Sequence, residues 1–332
     1  MKKITIKDLA KLLAVNPSTV SRALKDHPDI SLEMRARVKE VAAELGYSPN
    51  WQAISFRKRR SRLIGLIIPD MNMYFFPPVI KAIERRVRQE GYNLIVLHSN
   101  NQLQGEKDNV DICRHLGVEG LLVSLSTESE NLDHLRRFRD QEEAPVVLFD
   151  RVKGNAGFPT VVIQDEIATR SAIKHLAERG RKSILGLFGD PHLSISKARL
   201  AGYRQALAEF GIPAREDLIC HAYSELEAQA AVRKSLLITP RPDAIFAMSD
   251  ELLVGVMQGL SESRINIPDE IAVIAISDGM APTFWNPSIS FVEHSGTAVG
   301  ATSASFLFDL IEGRTAEQSR IVPTYLMAKA ST

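Results

Sequence analysis

The 332-residue sequence lacks the features that mark several classes of protein. It has only two cysteines, Cys113 and Cys220, far apart and without metal-ligand spacing, so we expect no disulfide and no metal site. No run of about 18 apolar residues occurs, which argues against a membrane-spanning helix. The N-terminus, MKKITIKDLAKLL, has two early lysines, but charges interrupt its apolar stretch and no small-residue cleavage site follows. We therefore expect a cytoplasmic protein.

The motifs of common enzyme classes are also missing. No GxGxxG opens a helix, and no P-loop, HExxH or GxSxG occurs. The eight histidines are scattered, and none is placed with a serine or cysteine as a nucleophile and its base would be. His98, His175 and His221 are better explained as structural residues. We expect neither enzymatic activity nor a cofactor.

The positive charge is concentrated at one end of the chain. Residues 1–62 contain 14 Lys or Arg and 6 Asp or Glu, a net charge of +8. Residues 63–332 contain 27 Lys or Arg and 34 Asp or Glu, a net charge of −7. A basic head on an acidic body is typical of a nucleic-acid-binding module joined to a soluble sensor domain. The alternative, a head that is basic by chance, is weakened by the pattern of the head itself.

Residues 1–46 are predicted to form three short helices. Thr5 can cap a helix over Ile6–Leu13, and Asn16 can cap a second over Pro17–Leu24, with a proline at its first position. Ser31 can cap a third helix that ends at a glycine. Two helices joined by a three-residue turn, with a third closing a small core, form the helix-turn-helix arrangement.

The exposed start of the second helix is the part predicted to read DNA, because in this arrangement it meets base edges in the major groove. Arg22 can donate twice to a guanine, whereas Pro17 offers only apolar contact, as to a thymine methyl. A solvated surface arginine is the alternative for Arg22. Other polar residues suit phosphate contacts that set the register. The candidates in the head are Thr5, Asn16, Pro17, Ser18, Ser21, Arg22 and Ser31.

Residues 46–62, GYSPNWQAISFRKRRSR, combine a helix start signal with a basic end. Pro49 after Ser48 suits the first turn of a helix, and five basic residues occupy the last six positions. A helix of about seven or eight residues is too short to be stable alone in water. The residues leave two interpretations open: a helix that forms only when a partner holds it, and a solvated linker.

The body alternates short apolar runs with amphipathic stretches. Two series of strands with helices between them predict parallel sheets with helices on both faces, in two lobes. Ligands of such sheets bind beyond the carboxyl ends of the strands. The predicted strands are Leu63–Ile68, Asn93–His98, Gly120–Leu125, Val146–Phe149 and Val161–Ile163 in the first series, and Ile184–Phe188, Leu218–His221, Ala244–Met248, Ala272–Ile276 and Ile289–Val292 in the second.

The head motif TIKDLAKLLAVNPSTVSRAL, followed by ISLEMRARVKEVAAELGYSPN, resembles the lactose-repressor/galactose-repressor (LacI/GalR) family of bacterial regulators. The resemblance extends to the terminal LMAKAST, which is similar to that family's closing strand. One departure lies in the turn, where Ala14 replaces the family's usual glycine. That replacement costs little only if the backbone there avoids a positive φ.

The resemblance implies a domain organisation. It gives a helix-turn-helix head over 1–46, a hinge helix and linker over 47–62, and a core over 63–332 with the two-lobed α/β fold of periplasmic sugar-binding proteins. The chain of the family crosses between the lobes three times. The first lobe is expected at about 63–161 and 294–322, and the second at about 162–293 and 323–332. The last helix, about Gly296–Glu312, should return to the first lobe.

The resemblance also favours the conditional helix over the linker. It implies that residues 48–56 insert in the minor groove at the operator centre, supported by the same helix of a second subunit. Phe56 stands where the family usually has a leucine that wedges between base steps, and minor-groove proteins use either residue. Basic residues from Arg57 onward would hold phosphates. The candidates of this segment are Asn50, Ala53, Phe56 and Arg57.

The residues that match the family's ligand positions follow the predicted strands. Carboxylates, amides and an arginine around an aromatic ring suit a sugar. The alternative to ligand binding for each Asp is that it merely caps the helix after the strand. For the phenylalanines, the alternative is a role in the hydrophobic core. Asp150, Arg199 and Asp250 are the strongest candidates. The full set is Tyr74, Phe75, Phe76, Asn100, Asp150, Arg151, Gln164, Asp165, Arg199, Tyr223, Ser249, Asp250 and Asp278, with Met73 and Asn101 adjacent to it.

Several of these positions depart from the family pattern. Gln164-Asp165 stands in place of Asp-Asn, Ser249 in place of Asn, Ser277 in place of Asp, and Tyr74 in place of a proline. Such changes alter which ligand hydroxyls can be paired, at about 1–3 kcal/mol for each buried polar group. The effector of a well-known member cannot therefore be transferred to this chain.

Together these features predict a homodimeric transcriptional regulator on nucleoid DNA. It would repress by binding a pseudo-palindromic operator, with its affinity controlled by a small molecule, by default a sugar or sugar derivative. A purine-like co-repressor and a phosphoprotein partner remain alternatives. A sugar-binding carrier without a DNA role is the alternative from another class, and the basic head argues against it. No trailing leucine heptads occur, so we expect no coiled-coil tetramer.

Overall fold

The computed structural model describes residues 4–47, 61–154, 156–314 and 317–332. It divides into two compact units, Met1–Ser61 and Arg62–Thr332. Most of the segment predicted as a hinge helix lies outside the described residues, together with its candidates Asn50, Ala53, Phe56 and Arg57.

Three helices build the first unit: α1 (Ile6–Leu12), α2 (Pro17–Ala23) and α3 (Leu32–Glu44). Thr5 and Asp8 form a reciprocal capping box at the start of α1, as expected. Neither seven-residue helix is long enough to be stable alone. Both depend on a small core shared with α3, whose buried members are Leu9, Ala10, Val20, Ala23, Val38 and Ala42.

The turn between α1 and α2 places Ala14 at a φ of 52°. The amide of Val15 donates to the carbonyl of Ala10 across this turn, at 3.0 Å. The replacement of glycine by alanine costs little only where φ is negative, and at Ala14 it is positive. A residue with a Cβ in this left-handed region is destabilised by about 1–2 kcal/mol.

Replacing Ala14 by glycine should stabilise the head by about 1 kcal/mol, because the relief of strain exceeds the extra entropy that glycine loses on folding. Amide hydrogen exchange of α1 and α2 in the full chain should slow about fivefold. Ala36→Gly, at an exposed position inside α3, is the matched control and should speed exchange instead. Faster exchange in Ala14→Gly would contradict the strain.

The second unit contains twelve strands and eight α-helices among its described residues. Two short 3₁₀ helices occur at Glu216–Leu218 and Ala281–Phe284. The strands are β1 (Leu63–Ile68), β2 (Asn93–His98), β3 (Leu121–Val123), β4 (Val146–Phe149), β5 (Thr160–Ile163), β6 (Ile184–Phe188), β7 (Ile219–His221), β8 (Ala244–Ala247), β9 (Ala272–Ser277), β10 (Ser290–Glu293), β11 (Ser319–Val322) and β12 (Leu326–Met327). The helices are α4 (Phe76–Gln89), α5 (Leu103–Leu116), α6 (Asp133–Glu142), α7 (Asp165–Glu178), α8 (Ser194–Glu209), α9 (Glu225–Ser235), α10 (Asp250–Glu262) and α11 (Gly296–Ile311).

The strands form two six-stranded sheets, which define the two lobes. The first lobe has the order β11-β5-β4-β3-β1-β2, with every neighbouring pair parallel. The second has the order β12-β10-β9-β8-β6-β7, in which only the β10–β12 pair is antiparallel. Near-continuous burial of β1, β4, β6, β8 and β9 fits sheets covered on both faces. The predicted α/β fold class is confirmed.

The chain passes between the lobes after β5, after β10 and between β11 and β12. The boundary predicted at 161/162 falls inside β5, which belongs to the first sheet as far as Ile163. Helix α11 does return to the first lobe, where Gly300 packs on α4. A Cβ at Gly300 would lie 2.5 Å from the carbonyl of Val79, so only glycine allows this close approach. Strand β11 was not predicted. It lies at the edge of the sheet and its four residues alternate in exposure, so it lacks the continuous apolar run that marked the predicted strands.

Cys113 is buried and Cys220 half-buried, and both are free thiols. Among the described helices, none is both long enough and apolar enough to cross a membrane.

Candidate DNA-binding and effector-binding sites

The start of α2 presents a polar, accessible face. Pro17, Ser18 and Arg22 are exposed and Ser21 is half-buried. Asn16 holds the capping position through its backbone carbonyl, but its side chain makes no capping hydrogen bond, contrary to expectation, and stays exposed. Helix α2 instead begins with a proline, which lacks one of the amide hydrogens that a cap would satisfy.

Arg22 makes one weak contact, a 3.8 Å approach of Nη1 to Oδ2 of Asp29 with both side chains more than half exposed. A pair of this kind contributes little to stability and leaves the guanidinium available. Two phosphate-contact candidates are occupied as caps. The Thr5 hydroxyl donates to Asp8, and Ser31 Oγ accepts from the amide of Met34 at 3.3 Å. A phosphate contact from Thr5 would therefore have to compete with its capping box.

A cavity of about 440 Å³ lies between the two lobes of the second unit. Segments that follow strands of both sheets line it, at the strands' carboxyl ends, as expected for ligand sites of parallel sheets. Eight of the thirteen predicted ligand residues are in its wall: Phe75, Asp150, Arg151, Arg199, Tyr223, Ser249, Asp250 and Asp278. A cavity of this size accommodates a small ligand.

Arg199 on α8 is the most deeply buried cation of the cavity wall, with 3% of its surface exposed. Its Nε donates to Oδ1 of Asp165 at 2.7 Å, and its Nη1 donates to the carbonyl of Met248. Its Nη2 has no hydrogen-bond partner among the described residues. A buried donor without a partner costs about 1–3 kcal/mol, so an adjustment of the wall that gave this atom an acceptor would be stabilising.

Asp150 follows β4 with a φ of 57°, a conformation that turns the chain sharply at the cavity. Ser124 donates to its Oδ2 at 3.3 Å, while Oδ1 lies 4.0 Å from Nε2 of His294. Burial raises the pKa of Asp150 to about 6, against the opposing charges of Arg151 and Arg199. Burial, with Arg199, lowers the pKa of His294 well below its usual value, so its imidazole is neutral.

Arg151, next in the chain, is also buried, and it is held by the first lobe. Its Nη1 donates to Oδ1 of Asn101 at 2.9 Å, and its Nη2 contacts Sδ of Met73. The Nε atom has no partner among the described residues. The alternative role of a helix cap does not apply to this segment, because no helix begins there.

Asp250 opens α10 but does not cap it, since Ser249 Oγ accepts from the amide of Leu252. The Asp250 carboxylate accepts from the hydroxyl of Ser277 and from the amide of Asp278. Burial raises its pKa to about 7, and the charges of Glu251 and Asp278 add to the shift. The group therefore titrates near neutral pH.

Asp250→Asn should flatten the dependence of stability on pH. Because the folded pKa of Asp250 is raised above its unfolded value, the folded state binds more protons, and stability falls as pH rises from about 4 to 7. The variant lacks this loss and should be more stable than the parent above pH 7. Thermal midpoints from pH 5 to 8 measure it, with exposed Asp269→Asn as control. A variant with the parental slope would contradict the assignment.

Five predicted ligand residues are not in the cavity wall. Phe76 is fully buried in the core, as the core alternative expects, whereas Phe75 packs against that core and also lines the cavity. Asn100 is exposed and its neighbour Asn101 lines the cavity instead. Tyr74 links the two lobes through its backbone, because its amide donates to Oε1 of Glu251 at 3.0 Å.

The remaining two, Gln164 and Asp165, lie at a separate depression beside α7. Asp165 is a positioning residue for Arg199 rather than a residue of the wall. The position of Asp165 has a simple physical origin. Burying Arg199 requires a counter-charge, and Asp165, the first residue of α7, provides it.

Sequence reasoning did not identify several residues of the wall. Asp190 lies two residues after the end of β6 and could have been found by the same strand-end rule. His294, which follows β10, stacks on Phe75 with ring centroids 4.3 Å apart. No signal in the sequence distinguished Glu251 from the other acidic residues at helix starts. The unpredicted polar members of the wall are Asp70, Asn72, Thr127, Asp190, Ser224, Glu225, Glu251 and His294.

Two family models match the two units. "Bacterial regulatory proteins, lacI family" matches residues 5–50, and "Periplasmic binding proteins and sugar binding domain of LacI family" matches residues 61–330. The chain belongs to the LacI family. It is a DNA-binding transcriptional regulator and not an enzyme.

Curated relatives of this LacI-family chain cover nearly its whole length. The HTH-type transcriptional regulator DegA of Bacillus subtilis (strain 168) is 28% identical over 99% of this chain and 98% of its own. Catabolite control protein A of Priestia megaterium is 28% identical over 95% of each chain. The HTH-type transcriptional repressor PurR of Pasteurella multocida (strain Pm70) is 26% identical over 96% of this chain and 95% of its own.

Solved structures agree on the architecture. A lac repressor dimer bound to operator and the anti-inducer ONPF matches with a TM-score of 0.88 at 22% identity, over 99% of both chains. The transcriptional regulator CelR in complex with cellobiose matches with a TM-score of 0.72 at 25% identity, over 99% of this chain and 100% of its own. The fold of this LacI-family regulator is therefore that of the lac repressor.

Proposed function

We propose that this regulator is a homodimeric repressor that binds a pseudo-palindromic operator and responds to a small carbohydrate bound between its lobes. The observation that carries the proposal is the unpartnered Nη2 of buried Arg199 in the wall of the interlobe cavity. Since that donor is not satisfied by the described protein groups, a ligand with acceptor oxygens stabilises the closed core by pairing with it.

The chemistry of the wall supports a carbohydrate. Polar groups that can each pair with a hydroxyl surround an aromatic surface made by Phe75, stacked on His294, and by the largely exposed ring of Tyr223. Aromatic rings pack on the apolar face of a sugar while carboxylates and guanidinium groups bond to its hydroxyls. Asp150, Arg151, Arg199, Ser249, Asp250 and Asp278 are the groups assigned to this role.

The head supports sequence-specific binding to double-stranded DNA. Helix α2 presents Pro17, Ser18, Ser21 and Arg22 on one accessible side, as the recognition helix of a helix-turn-helix does. One such helix reads about half of an operator, so two subunits and a pseudo-palindrome are required for a full site. The lac repressor relative is a dimer on its operator, which supports the same assembly here. Action at an operator also implies a location at the nucleoid.

A ligand screen on the full-length protein tests the proposal. Thermal midpoints are measured with sugars, sugar phosphates and purines, and each ligand that raises the midpoint is then tested for its effect on binding to an operator selected from a random duplex library. We expect a carbohydrate to raise the midpoint and to change operator affinity. A purine that does both while no carbohydrate does would identify the alternative class of effector. Selection of no preferred duplex would contradict the operator role itself.

A further inference from the structure

The interlobe cavity carries most of the negative charge of the core. Two cations, Arg151 and Arg199, stand in its wall against seven carboxyl groups, an excess of five negative charges when all are ionised. Outside this wall, residues 63–332 contain 25 basic and 27 acidic residues and are nearly neutral. The seven carboxyl groups are those of Asp70, Asp150, Asp190, Glu225, Asp250, Glu251 and Asp278.

The two arginines of the wall offset only part of the charge of these carboxyl groups, chiefly that of Asp150. No Lys or Arg among the described residues forms a salt bridge with any of the seven. Arg199 is paired with Asp165, which is not part of the cavity wall, and Arg151 bonds to the amide of Asn101. The charge excess is therefore directed at whatever occupies the cavity.

Glu225, Asp250 and Glu251 lie close enough to Tyr74 of the first lobe for their charges to act on it, and Glu251 accepts from its amide at 3.0 Å. Gly255 of α10 packs against the start of α9, where a Cβ would lie 2.2 Å from the carbonyl of Glu225. This close approach sets the first turns of α9 and α10 side by side. Burial raises the pKa of Tyr74, and the negative charges of Glu225, Glu251 and Asp250 raise it further.

Stabilisation of helix starts accounts for only part of this arrangement. An acidic side chain in the first turn of a helix contributes about 0.3–1 kcal/mol, which explains Glu225 and Glu251 individually. Asp278 also serves a helix start, since its Oδ1 accepts from the amide of Gly296, the first residue of α11. Helix starts do not explain Asp150, which follows β4 where no described helix begins and whose pKa burial raises to about 6. Nor do they offset the repulsion around Asp250, whose pKa is raised first by burial and then by the negative charges of Glu251 and Asp278.

The two arginines add an independent requirement on the ligand. Nη2 of Arg199 and Nε of Arg151 are buried and have no partner in the part of the chain that the structure describes; the two residues are 3% and 8% exposed. Both need acceptor atoms. The excess of carboxylates makes an anionic ligand an unfavourable source of these acceptors, whereas the hydroxyl oxygens of a ligand supply them without charge.

We propose that the effector is an amino sugar, whose hydroxyl oxygens accept from Arg199 and Arg151 and whose ammonium group lies among the carboxylates of Glu225, Asp250 and Glu251. This inference rests on the proposed carbohydrate effector and specifies its class. An ammonium has three donors and one positive charge, so it satisfies these carboxylates and relieves their mutual repulsion. Phosphorylated sugars are disfavoured by the same charges.

The test measures binding to the full-length protein by calorimetry, with D-glucosamine, D-galactosamine and D-mannosamine as probes. Each is compared with its parent hexose, its N-acetyl derivative and its 6-phosphate, and spermidine is included as an amine without hydroxyl groups. We expect at least one amino sugar to bind 10-fold or more tightly than all of its matched derivatives. Glu251→Gln should remove at least 10-fold of that preference. Glu262→Gln, the same change at the far end of α10 and paired with Arg233 rather than the cavity, should leave it unchanged.

Several results would overturn the inference. A parent hexose or N-acetyl derivative that binds as tightly as the amino sugar removes the need for an ammonium. Spermidine that binds in place of every amino sugar removes the need for hydroxyl groups. If a neutral sugar or purine binds and no amino sugar does, the amine is wrong while the proposed effector control stands. If no probe of any class changes either stability or operator affinity, the proposed effector control fails with it.

Discussion

Arg199→Met abolishes effector binding in this account, with a loss of at least 100-fold in affinity. The substitution removes the Nη2 donor, which has no partner among the described residues. It also removes the only cation that the described part of the second lobe contributes to the cavity wall. It also leaves Asp165 buried without its counter-charge, and breaking a buried pair costs about 3–5 kcal/mol. Isothermal calorimetry and chemical unfolding measure the two effects separately.

The double variant Arg199→Met/Asp165→Asn separates a binding role from a structural one. It removes both charges of the buried pair, so most of the lost stability should return. Effector affinity should not return, because the donor is still missing. Recovery of effector binding together with stability would mean that Arg199 only supports the fold, and the assignment of its Nη2 to the ligand would then be wrong.

Arg22→Met should weaken binding to the selected operator far more than binding to a scrambled duplex. A bidentate contact with a guanine is worth about 1–3 kcal/mol, and a dimer makes it twice, so the specific complex loses about 2–6 kcal/mol. The folded head should be unaffected, because the single contact of Arg22 is an exposed 3.8 Å approach to Asp29. Fluorescence anisotropy with both duplexes measures the difference.

Arg37→Met is the matched loss of charge within the head, at an exposed position on α3. It should lower affinity for both duplexes by a similar factor, if it lowers it at all, since phosphate contacts carry no sequence information. If Arg22→Met also lowers both affinities equally, Arg22 is a phosphate contact and the reading of base edges by α2 rests on other residues.

Periodicity and capping residues were enough to predict the architecture. The three head helices begin where Thr5, Asn16 and Ser31 indicate, because each helix start requires an acceptor or a proline to deal with its free amides. The strand β1 was recognisable as a continuous apolar run, since a parallel strand covered on both faces has no polar side. Such features depend on local sequence and on burial alone.

The side chains that enter the cavity were harder to predict. Phe75 and Phe76 are adjacent, yet only the first lines the interlobe cavity, because Phe76 begins α4 and turns into the core. Asn100 and Asn101 both have a positive φ, and the sequence does not reveal which of them faces Arg151. A rule based on strand ends finds the segment but not the direction of each side chain.

Features that depend on two distant segments were not predictable at all. The hydrogen bond from the amide of Tyr74 to Glu251 joins residues 177 positions apart in different lobes. The role of Asp165 depends on the approach of Arg199 from another helix. The positive φ at Ala14 could be suspected only from the glycine usual at this position in the family, because an alanine by itself does not indicate a left-handed conformation.

The most direct test of the account is the operator affinity of the full-length dimer with and without the effector, in the parent and in Arg199→Met/Asp165→Asn. Because coupling between two binding sites is reciprocal, an effector that changes operator affinity must have its own affinity changed by operator to the same degree, typically 5- to 150-fold. We predict this reciprocal change in the parent and its loss in the double variant. An effector that fills the cavity of the parent and leaves operator affinity unchanged would contradict the account.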